Sequence, residues 1–159
     1  MVEERYLVAP WDNLVKRVTF SVFVLIISLM VVFSTKLDNL LLIVSILILY
    51  SSILLLPYLW MPQGYSIVGR KVIIKRFIGN VKFSIDEDPI RWNWTWWGGR
   101  LFGSGGLYGY YGFFVFKGIG RVRMYATNRH KLVLIKDKKG RKILLSPKEP
   151  EKFVQLLRI

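Results

Sequence analysis

The sequence contains no cysteine and only one histidine, His130, among its 159 residues. The absence of cysteine excludes disulfide bonds, thiolate zinc sites, iron–sulfur clusters and cysteine nucleophiles. One histidine is too few for a histidine-based metal cluster, and no nucleophile has an acid and a base beside it in the sequence. The short acidic stretch at residues 86–88 lacks the ligand spacing of a calcium loop. We therefore expect no catalytic residues, no bound metal and no cofactor.

Acidic residues are scarce, and the charge is distributed unevenly along the chain. Residues 1–62 carry four basic and four acidic side chains, whereas residues 63–159 carry 20 basic and six acidic ones, which is the whole net charge of +14. Hydrophobic residues make up 53% of the sequence and aromatic residues 15%, too much apolar surface for a disordered chain. The sequence thus predicts an apolar, neutral N-terminal third followed by a strongly basic folded region.

Two uncharged apolar runs occupy residues 18–35 and 40–61. At 1.5 Å per residue they would form helices about 27 and 33 Å long, enough to cross the hydrocarbon core of a bilayer. Their short connection requires an antiparallel pair. A signal peptide is disfavoured because Glu3 and Glu4 precede the first run and no cleavage site follows it. A pair of buried core helices is disfavoured because neither run has a polar face. We predict a two-helix transmembrane hairpin.

The charges that flank these runs predict the orientation of the hairpin. Lys16 and Arg17 precede the first run, and four basic residues lie at positions 70–76 after the second. Lys and Arg are enriched on the cytoplasmic side of membrane proteins. We therefore predict a cell-membrane protein with both termini in the cytoplasm, divided into residues 1–62, with the hairpin, and residues 63–159, a cytoplasmic domain.

Short β-branched and aromatic runs separated by turn residues follow position 62. Seven of them are predicted as strands: Tyr65–Val68, Lys71–Phe77, Val81–Ile85, Phe113–Lys117, Arg121–Ala126, Lys131–Lys136 and Arg141–Leu145. The strand at 131–136 is apolar enough to be buried on both faces. Ser146 is predicted as the N-cap of an amphipathic C-terminal helix with Pro147 in the first helical position. The predicted fold is α+β: membrane helices, then a seven-stranded β-barrel or sandwich capped by one helix.

Three segments of this region resemble a prokaryotic pleckstrin-homology (PH) domain family. They are RLFGSGGLYGYYG at residues 100–112, VRMYAT at 122–127 and LSPKEPEKF at 145–153. Members of the family often carry two transmembrane helices ahead of the domain. The resemblance implies a PH-like fold, but little about function, because PH-like folds bind lipids, peptides and other proteins.

The segment at residues 91–111 is unusually rich in tryptophan, glycine and tyrosine. Trp92, Trp94 and Trp96 would share one face of an extended strand. The glycines lack the flanking elements of a nucleotide-binding loop, and we expect a long flexible hairpin loop. The apolar residues could form part of the core, lie at the lipid headgroups or bind a partner. The candidate residues for such a surface are Trp92, Trp94, Trp96, Trp97, Leu101, Phe102, Leu107, Tyr108, Tyr110 and Tyr111.

Basic residues form the second group of candidates. Their excess could reflect only the usual enrichment of Lys and Arg in cytoplasmic segments, but it extends well beyond the residues next to the spans. Basic side chains near a bilayer attract anionic headgroups. The candidate lipid or phosphate contacts are Arg70, Lys71, Lys75, Arg76, Lys82, Lys138, Lys139, Arg141 and Lys142.

These features favour a membrane-anchored, non-enzymatic binding or scaffolding module that engages anionic lipid headgroups or neighbouring membrane proteins. One alternative is a homo-oligomeric subunit of a membrane complex, assembled through the aromatic stretch. A second is recruitment of nucleic acid to the membrane by the basic region, although the sequence has no recognised nucleic-acid-binding motif.

Overall fold

A computed structural model describes residues 4–8, 10–36, 39–95 and 98–158. The chain begins with strand β1 (Glu4–Leu7), followed by helices α1 (Asn13–Lys36) and α2 (Leu40–Trp60). Nine strands and a last helix follow: β2 (Gly64–Val68), β3 (Lys71–Lys75), β4 (Val81–Ser84), β5 (Ile90–Trp92), β6 (Gly98–Gly105), β7 (Tyr110–Phe116), β8 (Gly120–Ala126), β9 (Leu132–Lys136), β10 (Lys142–Leu145) and α3 (Pro150–Arg158). The candidates Trp96 and Trp97 lie outside the described residues.

Helices α1 and α2 confirm the two predicted apolar helices. They have 24 and 21 residues, and both are long and apolar enough to cross a membrane. No residue of α2 is buried, whereas α1 buries Val15, Thr19 and Ile26. The first helix begins five residues before the predicted span, because its N-terminal turn packs against the β-sheet region.

The strands form two sheets that do not close into a barrel, so of the two predicted alternatives, barrel or sandwich, the barrel is wrong. Strands β1–β4 form an antiparallel sheet in chain order, and the other six form a sheet of order β5-β9-β10-β8-β7-β6. In the larger sheet β10 pairs with β8 in parallel, and the other neighbours are antiparallel. All seven predicted strands are present, with ends displaced by at most three residues.

The count of seven strands is wrong, because β1, β5 and β6 were not predicted. Strand β1 precedes the helices and pairs with β2, so Glu4 lies opposite Ile67. Residues 98–105, expected in a flexible loop, form β6 and pair with β7 along their whole length, with one irregularity between Arg100 and Phe102. The aromatic and glycine-rich segment is therefore mostly regular sheet.

Two apolar cores lie on opposite faces of the larger sheet. The first fills the space between the two sheets and α3, and includes Phe83, Ile135 and Phe153. The second lies on the opposite face and includes Val15 of α1 and Leu134 of β9. The prediction that the strand at 131–136 is buried on both faces is thus confirmed.

Helix α3 begins at Pro150, so the predicted start after Ser146 is wrong. Ser146 is buried: its Oγ accepts a hydrogen bond from the backbone N–H of Thr127 at 2.8 Å, and its own N–H donates to the Tyr65 hydroxyl at 3.1 Å. The carbonyl of Glu149 accepts the first helical bond, from Phe153. The preference for proline in the first helical position therefore applies to Pro150.

Candidate functional site

The turn of the β6–β7 hairpin lies between the two apolar helices. The side chain of Tyr108, only 5% exposed, occupies this turn. Its ring centroid is 6.2 Å from that of Phe23 in α1 and 5.4 Å from that of Tyr58 in α2. It also contacts Trp11, which precedes α1, at 6.0 Å. One side chain thus packs against both helices at the point where they meet the sheets.

Hydrogen bonds reinforce this contact on both helices. Thr19 Oγ1 of α1 accepts from the N–H of Tyr108 at 3.0 Å and donates to the carbonyl of Gly106 at 3.4 Å. The Tyr111 hydroxyl donates to the Pro57 carbonyl of α2 at 2.7 Å, satisfying one of the carbonyls that a helix leaves unpaired at its C-terminus. Burial raises the pKa of Tyr111 to about 12, so this hydroxyl keeps its proton at neutral pH.

Asp12 fixes the beginning of α1 to the larger sheet. Its Oδ1 accepts from the N–H of Val15 at 2.9 Å, as an N-cap residue does. Its Oδ2 accepts from the backbone N–H and the Nε of Arg129 at 3.1 and 3.0 Å, and the Tyr110 hydroxyl is 3.2 Å from both oxygens. Burial opposes ionisation of Asp12, but the bonds from Val15 and Arg129 outweigh it and hold its pKa below the ordinary value.

Four basic side chains line one surface pocket of about 400 Å³ beside the larger sheet, which we call the basic pocket; they are Arg121, Arg123, Arg141 and Lys142. The guanidinium carbon of Arg123 lies 5.0 Å from the centroid of the Phe113 ring, which also lines the pocket. Arg141 Nε donates to Asp137 Oδ2 at 2.6 Å, and Lys142 Nζ donates to the Ile119 carbonyl at 2.7 Å. These contacts hold positive charge at one place on the sheet.

The domain that carries this pocket matches a known family. The family model of the bacterial PH domain matches residues 63–159, from the end of α2 to the end of the chain. The chain belongs to the bacterial PH domain family. This confirms the family that the sequence segments resemble. No curated protein and no solved structure matches the chain.

The structure places the aromatic candidates of the PH domain in three environments. Trp92 and Trp94 are partly buried against the second core, and Tyr110 lies within that core. Tyr108 and Tyr111 lie at the junction with the helices, as described above. Leu101 and Phe102 are 56% and 74% exposed, and Leu107 is half-buried. The eight candidates that the structure describes therefore do not form one surface.

The structure brings only some of the basic candidates together. Arg141 and Lys142 lie in the basic pocket, and Lys138 and Lys139 in the exposed turn before it. Lys71, Lys75 and Lys82 belong to strands of the smaller sheet, and Arg70 lies in the turn between β2 and β3, where it forms an ion pair with Asp88 at 3.9 Å. Arg76 lines a different pocket, at the end of α2.

Arg121 and Arg123 also line the basic pocket, although they are not among the candidate contacts predicted from the sequence. They alternate along β8 with the buried residues Val122 and Met124. Alternation places them on the face opposite the second core, and the parallel pairing of β8 with β10 sets Arg123 opposite Ile143. The alternation is visible in the sequence, but the pairing that brings Arg123 near Arg141 is not.

Proposed function

We propose that the protein is a membrane-anchored, non-enzymatic binding module whose PH domain engages anionic lipid headgroups through the basic pocket. The observation that carries this proposal is the packing of the β6–β7 hairpin against the ends of both apolar helices. With α1 and α2 in the bilayer, that packing holds the PH domain beside the headgroups. A tethered site meets its ligand at high effective concentration, so modest affinity suffices.

The charge of the basic pocket supports anionic lipid as the ligand. A basic side chain near an anionic membrane contributes about 1 kcal/mol of binding free energy. Arg121, Arg123 and Lys142 add to one another in the pocket, while the charge of Arg141 is partly balanced by Asp137. In the proposed orientation both termini and the pocket face the cytoplasm, where anionic lipids give the leaflet a negative surface potential.

Lipid retention tests this proposal on the full chain. Nanodiscs would contain equal amounts of phosphatidylglycerol and phosphatidylcholine with identical acyl chains, and native mass spectrometry would count the lipids that the released protein keeps. We expect phosphatidylglycerol to predominate. The double variant Arg121→Gln/Arg123→Gln should lower its excess by about tenfold, since two contributions of about 1 kcal/mol are lost and part of each is screened by salt.

A matched variant removes the same charge from another surface. Lys71→Gln/Lys82→Gln changes two exposed residues of the smaller sheet, and we expect it to leave the lipid ratio nearly unchanged. Equal losses in both double variants would mean that net charge, and not the basic pocket, selects the lipid. Equal retention of the two lipids by the unmodified protein would contradict the proposed function.

Self-assembly is a second candidate function, favoured by strand β6. This strand is one of the two edges of the larger sheet, and Leu101 and Phe102 are its two most exposed large apolar side chains. Exposed apolar edge strands pair readily with another chain. If copies pair through β6, Leu101→Lys should convert a dimer in detergent into a monomer, measured by light scattering coupled to size-exclusion chromatography. A monomeric unmodified protein would remove this candidate.

A further inference from the structure

A second pocket, of about 380 Å³, opens where α2 ends, and we call it the junction pocket. Its walls include Pro57 and Trp60 of α2, Arg76 from the loop after β3, Phe102 and Leu107 of the β6–β7 hairpin, and Tyr125 of β8. Its volume lies within the range of about 300–1,000 Å³ that is usual for small-molecule sites. Most of the surface is apolar, and the charged residues that line it, Arg76 and Arg100, are cationic.

The loop between β3 and β4 fixes the position of this pocket along the axis of α2, next to the C-terminal end of the helix. The N–H of Ile78 donates to the carbonyl of Leu59 at 3.3 Å, and the Phe77 ring lies 5.0 Å from that of Tyr58. The side chains of Phe77 and Ile78 nevertheless remain about half exposed. Exposed apolar and aromatic residues beside the end of an apolar helix suit the interface between hydrocarbon and headgroups. The junction pocket therefore lies at headgroup level whenever α2 spans a bilayer.

Arg76 is held in place at the wall of the pocket. Asn80 Oδ1 accepts its backbone N–H at 3.2 Å, and its Nε donates to the Gly79 carbonyl at 2.7 Å. Gly79 adopts φ +66°, a conformation that favours glycine, and so lets the loop turn tightly around the guanidinium. A guanidinium positioned in this way loses little freedom when it binds phosphate.

The junction pocket and the basic pocket are neighbours that share one wall residue. Phe113 lines both, and Arg123 of the basic pocket lies over its ring. In the other direction the junction pocket reaches the exposed apolar surface of α2, where Leu56 and Trp60 are each about half exposed. The apolar surface of α2, the junction pocket and the cations of the basic pocket therefore lie next to one another and together form one surface of the molecule.

We propose that this surface binds one anionic phospholipid of the surrounding bilayer. Its acyl chain contacts Trp60, Phe102 and Leu107, and its phosphate lies near Arg76, with the headgroup directed past Phe113 toward the basic pocket. The proposal rests on the proposed function and specifies the ligand as a whole lipid, recognised by chain and headgroup together. A free phosphate would bind the cationic side chains but would make no contact with the apolar walls of the junction pocket.

Photolabelling of the full chain tests the position of the acyl chain. The probe is a phosphatidylglycerol with a diazirine midway along one chain, in nanodiscs, with labelled peptides mapped by mass spectrometry. We expect labels in α1, in α2 and also on the hairpin at residues 102–113. The phosphatidylcholine probe with the same chain should label the helices but not the hairpin. Arg76→Gln should reduce hairpin labelling about fivefold, the change that corresponds to about 1 kcal/mol.

Neighbouring residues provide matched controls. Phe102→Glu places a negative charge in the apolar wall, whereas Leu101→Glu makes the same change at an adjacent exposed residue that does not line the pocket. We expect the first to abolish hairpin labelling and the second to preserve it. Equal effects of the two substitutions on hairpin labelling would show that the hairpin merely touches the bilayer. That result would overturn the proposal that the junction pocket binds an acyl chain. If the protein retains an excess of phosphatidylglycerol but the hairpin is not labelled, the proposed lipid site is wrong and the proposed function stands. If the protein retains no excess of phosphatidylglycerol, both proposals are wrong.

Discussion

Gly112→Val should destabilise the protein by about 3 kcal/mol or more, the largest loss we expect from one substitution. Gly112 has φ +119°, a conformation that favours glycine, and it faces Gly103 across the β6–β7 pair. A Cβ at position 112 would lie 2.2 Å from the carbonyl oxygen of Phe102, part of the backbone of β6. The two strands would have to separate. Because the same hairpin carries Tyr108 and Tyr111, its contacts with both helices should also be lost. Denaturant unfolding of the full chain in detergent, followed by tryptophan fluorescence, measures the change.

Gly99→Val is the matched control for this prediction. Gly99 lies in the partner strand β6, opposite Val115 of β7, and an added Cβ would meet no atom within 4 Å. Valine suits an extended strand, so we expect a change within about 0.5 kcal/mol. A similar loss in both variants would mean that a side chain added at any glycine of the β6–β7 pair is harmful, and that close approach at Gly112 is not the cause. Hydrogen exchange over residues 106–116 would locate the opening.

The β6–β7 hairpin also shows what limited the prediction of the fold. The seven predicted strands are runs of β-branched and aromatic residues, and a local pattern of that kind is sufficient to recognise them. Glycines at positions 98, 99, 103 and 105 look like breaks in a strand. In β6, however, glycine is what allows the backbone of residue 103 to approach that of residue 112. Only the partner strand reveals this, so a local pattern predicts a loop.

Long-range pairing limited the prediction in the same way elsewhere. Strand β1 is four residues long and pairs with β2 across the whole helical hairpin, so nothing nearby in the sequence indicates it. The basic pocket was half predicted: Arg141 and Lys142 were candidates, while Arg121 and Arg123 reach them through a parallel pair of strands. The junction pocket combines a helix end, a loop and a hairpin turn, three segments whose proximity depends on the complete fold.

Asp12→Ala should cost about 3 kcal/mol, because it removes the N-cap of α1 and takes the buried carboxylate away from the partly buried Arg129 side chain. The Asp12 side chain is 3% exposed and that of Arg129 14%. The sequence holds a signal for this role, an aspartate just before an apolar helix. The predicted span at 18–35 began beyond Lys16 and Arg17, and so the helix start at Asn13 was missed.

The pH dependence of stability gives this prediction a second readout. The pKa of Asp12 is lower in the folded chain than its ordinary value of 3.8, and that of Asp137 is lowered as well, where bonds from Arg141 and Lys139 outweigh the effect of burial. A lowered pKa in the folded state means that the unfolded chain binds protons first as the pH falls. Both carboxylates therefore stabilise the fold fully at neutral pH, and their contribution is lost below about pH 4. The Asp12→Ala variant should lose less stability than the unmodified protein between neutral pH and pH 3.

Asp88→Ala separates this effect from a general sensitivity to loss of acidic residues. The Asp88 side chain is 64% exposed and lies 3.9 Å from Arg70, a geometry in which an ion pair contributes little. We expect its free energy of unfolding to change by less than about 0.5 kcal/mol, with the same acid dependence as the unmodified protein. If Asp12→Ala behaved like Asp88→Ala, the carboxylate would not hold α1 to the sheet. The burial of Val15 in the second core and the hydrogen bond between Thr19 and Tyr108 would then be among the contacts that hold α1 to the PH domain.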